Sequence, residues 1–465
     1  MRKISNLRSF VKKRIVLVYF FLPIYLLGFA QPLKTIQISE NGRYLQRSDG
    51  SPIYINACTA WSLTRDYSKE EVIAYLDRTV SQKFNTIQIS AVFHELYEGQ
   101  DIIGPAFFDE DFTKPKNEYW DKVEWVVNEV ARRGLIVVIN PIWKRQHQGS
   151  IQKNGIEKCR VYGKWFAEKF KNNPQVIYFV GGDSNPAPVK DEVAAMAEGI
   201  QDVYGGKAII AVHSASDNSS LEVYPENPSW LTLNWTYAYC PKYRKKYPYQ
   251  HNLENYKRYP DKPIQFGEGY YDFGSAKTYN NTSVNGRWGN RFAIRRQAWW
   301  ASFLSGSTGQ AYGAEAIWHH NRDNETWQKS LEYDSRKDMS YLMNLVQSVK
   351  WWTLKPDTSH TFLISGYGTY MTDDYALAAV SEDYRIAVIY TPVEHTFKIS
   401  LPNNIKPKPS SLKWFDPTNG TYRKINKNEY NEVDHKLTIS TPGANSSGKM
   451  DWVLLFAGTG GFPRK

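Results

Sequence analysis

The chain of 465 residues has only three cysteines, Cys58, Cys159 and Cys240, too few and odd in number for a disulfide framework. Their spacing matches no metal-binding pattern, and HExxH, EF-hand and CxxC motifs are absent from the sequence. We therefore expect a buried free thiol at each cysteine and predict neither a metal site nor a cofactor.

A long basic run and two common catalytic loops are also missing. The net charge is +11, but residues 1–30 hold six Lys or Arg and no acid, so the charge gives little support to nucleic-acid binding. There is no GxSxG nucleophile motif of a serine hydrolase. No glycine-rich phosphate loop follows the first predicted strand, which argues against a dinucleotide-binding sheet.

Long apolar stretches are absent except for one, which runs from Ile15 to Phe29 behind the basic residues. Small residues at Gly28 and Ala30 fit a secretory signal peptide cleaved after Ala30. An uncleaved membrane anchor is the alternative, disfavoured by Pro23 and by the shortness of the run. We expect a secreted or periplasmic protein without membrane attachment after cleavage; the sequence does not indicate its oligomeric state.

What the chain does contain is typical of a large globular protein, with 42% hydrophobic and 23% charged residues. Its length suits one barrel-sized domain with a smaller one. Aromatic residues are abundant at 15%, including 16 Trp and 32 Tyr. Such a composition fits either faces that stack on sugar rings or simply a large aromatic core.

Eight short apolar runs alternate, for the most part, with helical patterns. One of these patterns starts with a capping box at Ser68, and another is predicted to span residues 163–171. The runs are 53–58, 86–92, 135–140, 176–180, 208–213, 231–235, 264–266 and 309–312. Strands that alternate with helices predict a parallel sheet, and eight such units predict an α/β fold, the (β/α)8 TIM barrel. A doubly wound sheet is the alternative.

The pattern changes near Lys355-Pro356 to short alternating runs with turns, which predicts a small all-β sandwich domain. The expected organisation is a signal peptide at 1–30, a barrel at 31–354 and a sandwich at 355–465. No low-complexity linker separates the last two, so we expect the two domains to pack directly.

Two of the predicted strands run into an acid beside glycine: Gly181-Gly182-Asp183 and Gly267-Glu268-Gly269. A fully buried charge is costly, but the C-terminal ends of barrel strands open into a cleft. Strands four and seven lie on opposite sides of that mouth, where two carboxylates can flank a glycosidic bond. We predict Asp183 as general acid/base and Glu268 as nucleophile. Alternatively, one of them only binds substrate or supports a loop.

Other polar and aromatic residues near the predicted strand ends are candidates for substrate binding. They are Trp61, His94, Asn140, Asn185, His213, Trp235, Tyr312 and Trp318.

Each candidate also has a structural interpretation. His94 and Glu95 form either a proton relay or a loop salt bridge, and His213 with Ser219-Ser220 either holds substrate hydroxyls or stabilises a loop. The aromatic residues form either sugar-stacking walls or core. Glu315, a further carboxylate, fits a supporting role better than a catalytic one.

Several stretches, in order, resemble the apiosidase-like catalytic domain of glycoside hydrolase family 140 and its relatives. They are 59–63, 75–78 with 84–88, 181–186, 267–271, and 296–300 through 309–313 to Trp318. The segments 390–392 and 414–420 resemble a β-sandwich named for collagen binding, although we expect it to pack against the barrel rather than to bind collagen. The resemblance covers nearly all of the mature chain.

The resemblance implies Asp183 as acid/base, Glu268 as nucleophile, a retaining mechanism, and hydrolysis of apiose linkages in the pectin rhamnogalacturonan II. One departure is Ala57-Cys58, where the family usually has Gly-Asp. If that Asp binds a sugar hydroxyl, this protein prefers another sugar.

The sequence thus predicts a secreted retaining glycoside hydrolase whose partner is a polysaccharide or oligosaccharide of plant type. Another furanosidase or pyranosidase is the alternative among enzymes. A carbohydrate-binding protein built on an inactive barrel is the alternative outside them.

Overall fold

The structure is a computed structural model that describes residues 34–93, 104–238, 246–272, 290–321, 325–403 and 411–457. The predicted signal peptide, His94, Glu95 and Cys240 lie outside these residues. Within the described ranges, no helix has the length and hydropathy to span a bilayer.

A three-stranded antiparallel sheet closes the N-terminal end of the main domain. Its strands are β1 (Ile36–Ile38), β2 (Leu45–Arg47) and β3 (Pro52–Ile53). Leu45 is fully buried, and its backbone N–H donates to Thr308 Oγ1 at 3.3 Å, which fixes the sheet to the base of the barrel.

Eight parallel strands follow, with one short extra strand. They are β4 (Ile55–Thr59), β5 (Thr86–Ser90), β6 (Ile136–Asn140), β7 (Val176–Gly181), β8 (Ile210–His213), β9 (Asn234–Tyr237), β10 (Ile264–Glu268), β11 (Tyr271–Asp272) and β12 (Gly309–Ala314). Hydrogen bonds join them into a seven-stranded sheet in the order β11-β12-β4-β5-β6-β7-β8 and a β9–β10 pair. The predicted eight-stranded barrel is confirmed.

Serine side chains bridge the two places where the ladder of the barrel is interrupted. Between β8 and β9, Ser220 Oγ accepts the N–H groups of Val212 (3.0 Å) and Trp235 (2.9 Å). Between β10 and β12, Ser307 Oγ accepts from the backbone N–H of Phe266 and donates to the carbonyl of Gly309 at 2.6 Å. Buried backbone groups need a partner, and these hydroxyls supply one where the strands diverge.

Ten helices accompany the barrel strands in the described part of the chain. They are α1 (Lys69–Ser81), α2 (Asn117–Arg132), α3 (Lys144–Phe170), α4 (Lys190–Tyr204), α5 (Ser220–Val223), α6 (Pro248–Arg258), α7 (Arg291–Trp300), α8 (Glu315–Trp318), α9 (Trp327–Ser330) and α10 (Asp334–Ser348). The capping box predicted at Ser68 is present at the start of α1. Helix α3 begins well before the predicted residue 163, with a break at Gly155, whose φ is 69°.

The strands of the barrel alternate between two cores, as a two-residue period requires. Ala57, Val138, Phe179 and Ala311 belong to the interior of the barrel. Their neighbours Cys58, Val137, Val180 and Tyr312 face the helices.

The C-terminal strands form two antiparallel sheets. The strands are β13 (Leu354–Pro356), β14 (Leu363–Ser365), β15 (Leu377–Ser381), β16 (Ile386–Thr391), β17 (Thr396–Ser400), β18 (Leu412–Phe415), β19 (Tyr422–Lys424), β20 (Tyr430–Val433), β21 (Lys436–Ser440) and β22 (Trp452–Ala457). One sheet has the order β13-β15-β16-β22-β18-β19, the other β14-β17-β21-β20.

The six-stranded sheet is covered on both faces, which explains why β22 is buried throughout. On one face, Tyr390 stacks on Trp299 of α7 with ring centroids 5.5 Å apart. On the other, Ile389 and Trp414 pack against the four-stranded sheet. The two domains therefore share a continuous apolar core.

Candidate active site

The fourth barrel strand ends in a tight turn that exposes Asp183 at the mouth. Asp183 has a φ of 34°, an unfavourable conformation for a residue with a side chain, and Gly182 before it has a φ of 142°. A Cβ on Gly182 would lie 2.9 Å from the ring of Trp143. The glycine thus lets the chain turn against this ring and direct Asp183 into the cleft.

The seventh strand places Glu268 on the other side of the mouth. A Cβ on the preceding Gly267 would lie 1.8 Å from the ring of Trp235, so only glycine fits beneath the carboxylate. The Glu268 side chain is 7% exposed.

His213, at the end of β8, connects the two acidic segments. Its Nδ1 accepts the backbone N–H of Asp183 at 3.0 Å, and its Nε2 forms a short hydrogen bond with Glu268 Oε2. Because Nδ1 accepts a hydrogen bond, the proton of the imidazole is on Nε2, which donates to the carboxylate. One fully buried ring thereby positions both segments.

The other oxygen of Glu268 is held from the opposite side. The Tyr271 hydroxyl donates to Glu268 Oε1 at 2.6 Å, and Trp61 Nε1 donates to the Tyr271 hydroxyl at 2.7 Å. Glu268 thus receives one donor on each oxygen, which restricts its rotation.

Asp183 has a different environment. Arg145 Nη1 lies 2.5 Å from its Oδ2, the Tyr237 hydroxyl donates to its Oδ1 at 3.3 Å, and its side chain is 28% exposed. Burial in the cleft and the nearby charge of Glu268 raise the pKa of Asp183, and the charge of Arg145 opposes them. The two carboxylates are therefore close enough to interact electrostatically.

Aromatic rings surround the pair. Trp61, Trp143 and Tyr237 are buried beside His213, with ring centroids 6.2, 5.0 and 5.2 Å from it. Trp318 is half-buried at the rim, 5.9 Å from Tyr271. The two acids therefore lie beside buried aromatic side chains at the C-terminal ends of the barrel strands.

Two protein-family models match this chain, one over the barrel and one over the C-terminal strands. The family model "Apiosidase-like, catalytic domain" matches residues 39–353. The chain belongs to this family. A second model, "Putative collagen-binding domain of a collagenase", matches residues 361–457.

Solved structures share the fold of this apiosidase-like protein. A structure titled "Glycoside hydrolase" has a TM-score of 0.75 at 21% identity, covering 92% of this chain and 97% of its own. A glycoside hydrolase family 5 protein from Bacteroides vulgatus ATCC 8482 has a TM-score of 0.73 at 21% identity, covering 91% and 93%. No curated protein matches.

Not every residue predicted to bind substrate lies at the mouth of the apiosidase-like barrel. Tyr312 faces the helices and donates to Asp272 Oδ2 at 3.1 Å. Asn140 is fully buried and donates to the backbone oxygens of Phe179 and Gly181, both at 3.1 Å. These two side chains support the strands and are not available to a ligand.

The remaining predicted residues are divided between the cleft and its surroundings. Trp61, His213 and Trp318 line or support the cleft, while Trp235 lies beneath it, stacked on Phe179 at 5.1 Å. The Asn185 side chain accepts the N–H of Ala187 at 3.0 Å and so caps the turn after Asp183. His94 lies outside the described residues. Ser220 bridges strands instead of holding sugar hydroxyls.

Cys58 does not face the cleft of the apiosidase-like barrel either. Its Sγ lies 3.1 Å from Arg336 Nη1 and 3.0 Å from the Tyr75 hydroxyl, in the layer between strands and helices. An Asp in this place would meet the buried Arg336 and not a sugar. These contacts give no support to the condition that a residue at this position binds a sugar hydroxyl.

Arg145 was missed by sequence reasoning because α3 was predicted to begin only at residue 163, whereas Arg145 lies in its first turn. Tyr271 lies in the segment 267–271, which resembles the family and also contains Glu268, so the sequence could have identified Tyr271 as a site residue. Among the described residues, no group of three His, Cys, Asp or Glu side chains is arranged to hold a metal ion.

Proposed function

We propose that the protein is a retaining glycoside hydrolase in which Asp183 is the general acid/base and Glu268 the nucleophile. The observation that carries this assignment is the His213 bridge, which holds the two acidic segments on one ring while leaving Asp183 partly exposed. Family membership supports glycosidase chemistry.

The two environments fit the two roles. Burial raises the pKa of Asp183, so it keeps its proton to higher pH and can donate it to the leaving oxygen. Glu268 is oriented by His213 and Tyr271 for attack on the anomeric carbon. Attack breaks the glycosidic bond and forms a glycosyl ester on Glu268. Asp183 then takes a proton from water, which hydrolyses the ester and restores both groups.

For the substrate we propose apiose linkages in the side chains of rhamnogalacturonan II. The family description supports this choice over other furanosides and pyranosides. We also propose that the protein is exported, with a mature N-terminus at Gln31, which sequencing of the exported protein would test.

The test is release of sugar from rhamnogalacturonan II and from a panel of neutral plant glycans. Wild type is compared with Glu268→Gln, Asp183→Asn and Glu315→Gln, the last removing the charge of another carboxylate near the mouth. We expect release by wild type, near-complete loss in the first two variants and residual activity in the third. Loss in Glu315→Gln with activity retained in Glu268→Gln would refute the assignment. Binding without release from any glycan would favour a carbohydrate-binding protein.

A further inference from the structure

A second concave surface lies at the base of the barrel, at the end opposite Asp183 and Glu268. It is a groove of about 1380 Å³ between the N-terminal sheet, the start of β12 and the β15–β16 turn of the sandwich. Since β12 has six residues at about 3.3 Å each, the groove is roughly 20 Å from the mouth. It is therefore separate from the catalytic cleft.

Aromatic side chains form part of the groove wall. Tyr256 and Trp352 are both half-buried and line it. Trp352 packs edge-on against the buried Trp351, with centroids 6.2 Å apart, which fixes its ring. Arg43 lies over the ring of Tyr256 at 4.0 Å. A partly exposed ring such as that of Trp352 offers an apolar face to a sugar ring at a small cost in conformational entropy, whereas the ring of Tyr256 is covered by Arg43.

The charges of the lining are unbalanced. Its two acids each have a cation nearby: Glu382 is 3.4 Å from Lys355, and Asp383 is 3.6 Å from Arg385. Arg43 and Lys350 also line the groove, and neither has a carboxylate partner among the described residues. The lining thus has two uncompensated positive charges, and its two ion pairs are solvent-exposed and weak.

We propose that this groove binds an oligosaccharide that bears carboxylate groups. Arg43 and Lys350 pair with the carboxylates, and Trp352 contacts a sugar ring, while Tyr256 holds the Arg43 guanidinium in place. Such a site would hold an acidic polysaccharide on the enzyme while the mouth acts on a neighbouring side chain. Binding in the groove does not depend on the catalytic roles proposed for Asp183 and Glu268.

The probe is a set of oligogalacturonides, with neutral manno-oligosaccharides for comparison, in isothermal titration calorimetry. The protein carries Glu268→Gln so that no hydrolysis occurs. We expect Lys350→Glu and Trp352→Ala each to weaken oligogalacturonide binding about tenfold. Binding should also weaken as salt increases. The matched controls are Lys436→Glu and Tyr422→Ala, exposed residues of the sandwich outside the groove.

Equal affinity in groove and control variants would overturn the proposal, as would stronger binding of the neutral sugars. β22 ends at Ala457, which pairs with Ile386 at the groove edge. Binding that arises only after residues 458–465 are removed would assign the groove to the chain's own C-terminus and also overturn it. Failure of hydrolysis at the mouth with groove binding intact would refute the catalytic assignment alone.

Discussion

The mouth of the barrel and its junction with the sandwich both bury acidic residues, but they satisfy them differently. At the junction, Arg295 donates to both oxygens of Asp451 at 2.7 and 2.8 Å and to Asp338 at 2.9 Å. All three side chains are fully buried. At the mouth, Glu268 is held by the neutral donors His213 and Tyr271, and Asp183 is paired with Arg145, whose side chain is 52% exposed.

This difference separates structural carboxylates from reactive ones. A guanidinium that occupies both oxygens of a carboxylate fixes its charge and leaves no room for a ligand. Neutral donors orient a carboxylate but leave lone pairs for chemistry, and an exposed arginine can move when substrate enters. Removal of a mouth carboxylate should therefore affect rate, and removal of a junction carboxylate should affect stability.

The largest effect is expected for Glu268→Gln. Without the nucleophile, kcat should fall by at least about 10³-fold, because the glycosyl ester cannot form. The melting temperature should change little, since glutamine keeps the shape of the side chain. Initial rates and thermal unfolding of the same preparation measure both. A large drop in melting temperature with preserved kcat would mean that Glu268 is a structural carboxylate and not a reactive one.

Asp451→Ala should show the opposite behaviour. It leaves the buried Arg295 without its bidentate partner, which should lower the free energy of unfolding by about 3–5 kcal/mol. The activity per folded molecule should be unchanged at low temperature. Glu394→Ala, which removes an exposed carboxylate of the same domain, is the control and should be near neutral in chemical denaturation. Equal stability of the two variants would contradict the structural role of Asp451.

His213→Ala should reduce kcat by about 10²-fold, because Glu268 and the Asp183 turn both lose a fixed partner and a small displacement of reacting groups is costly. His213 acts through these groups, so KM should change much less than kcat. If KM changed and kcat did not, His213 would instead contact substrate, as the sequence suggested.

Arg145→Gln should have the smallest effect, a shift in the pH profile. Arg145 lowers the pKa of Asp183, so its removal raises that pKa. A general acid must be protonated, and activity is lost as pH rises through its pKa; the alkaline limb of kcat/KM should therefore move to higher pH. Arg145→Lys, which keeps the charge, should leave the limb in place. A shift to lower pH would assign the limb to another group.

Much of this arrangement follows from patterns that the sequence displays. The runs ending at Asp183 and Glu268 predicted strand ends because an apolar run that stops at glycine and an acid is typical of a buried strand opening into a cleft. The structure shows the close ring contacts that require Gly182 and Gly267. The eight apolar runs that alternate with helical patterns predicted a barrel. The start of α3 was missed because its first turns are polar and carry an unusual backbone angle at His147.

Other features depend on contacts between distant segments. Whether Tyr312 faces the lumen or the helices is decided by strand register, and a shift of one residue reverses it. The roles of His213 and Ser220 depend on which residues of the neighbouring strands lie beside them, and the sequence alone does not give this register. The environment of Cys58 is set in part by Arg336, which is 278 residues away in the sequence.

The central claim is that Asp183 and Glu268 have distinct roles in a retaining mechanism, and azide rescue tests it most directly. An aryl glycoside of the released sugar is given to Asp183→Ala and Glu268→Ala with azide, and the glycosyl azide is analysed by NMR. We predict a product of retained configuration from Asp183→Ala, formed through the ester on Glu268, and of inverted configuration from Glu268→Ala. The reverse assignment of products would contradict the account.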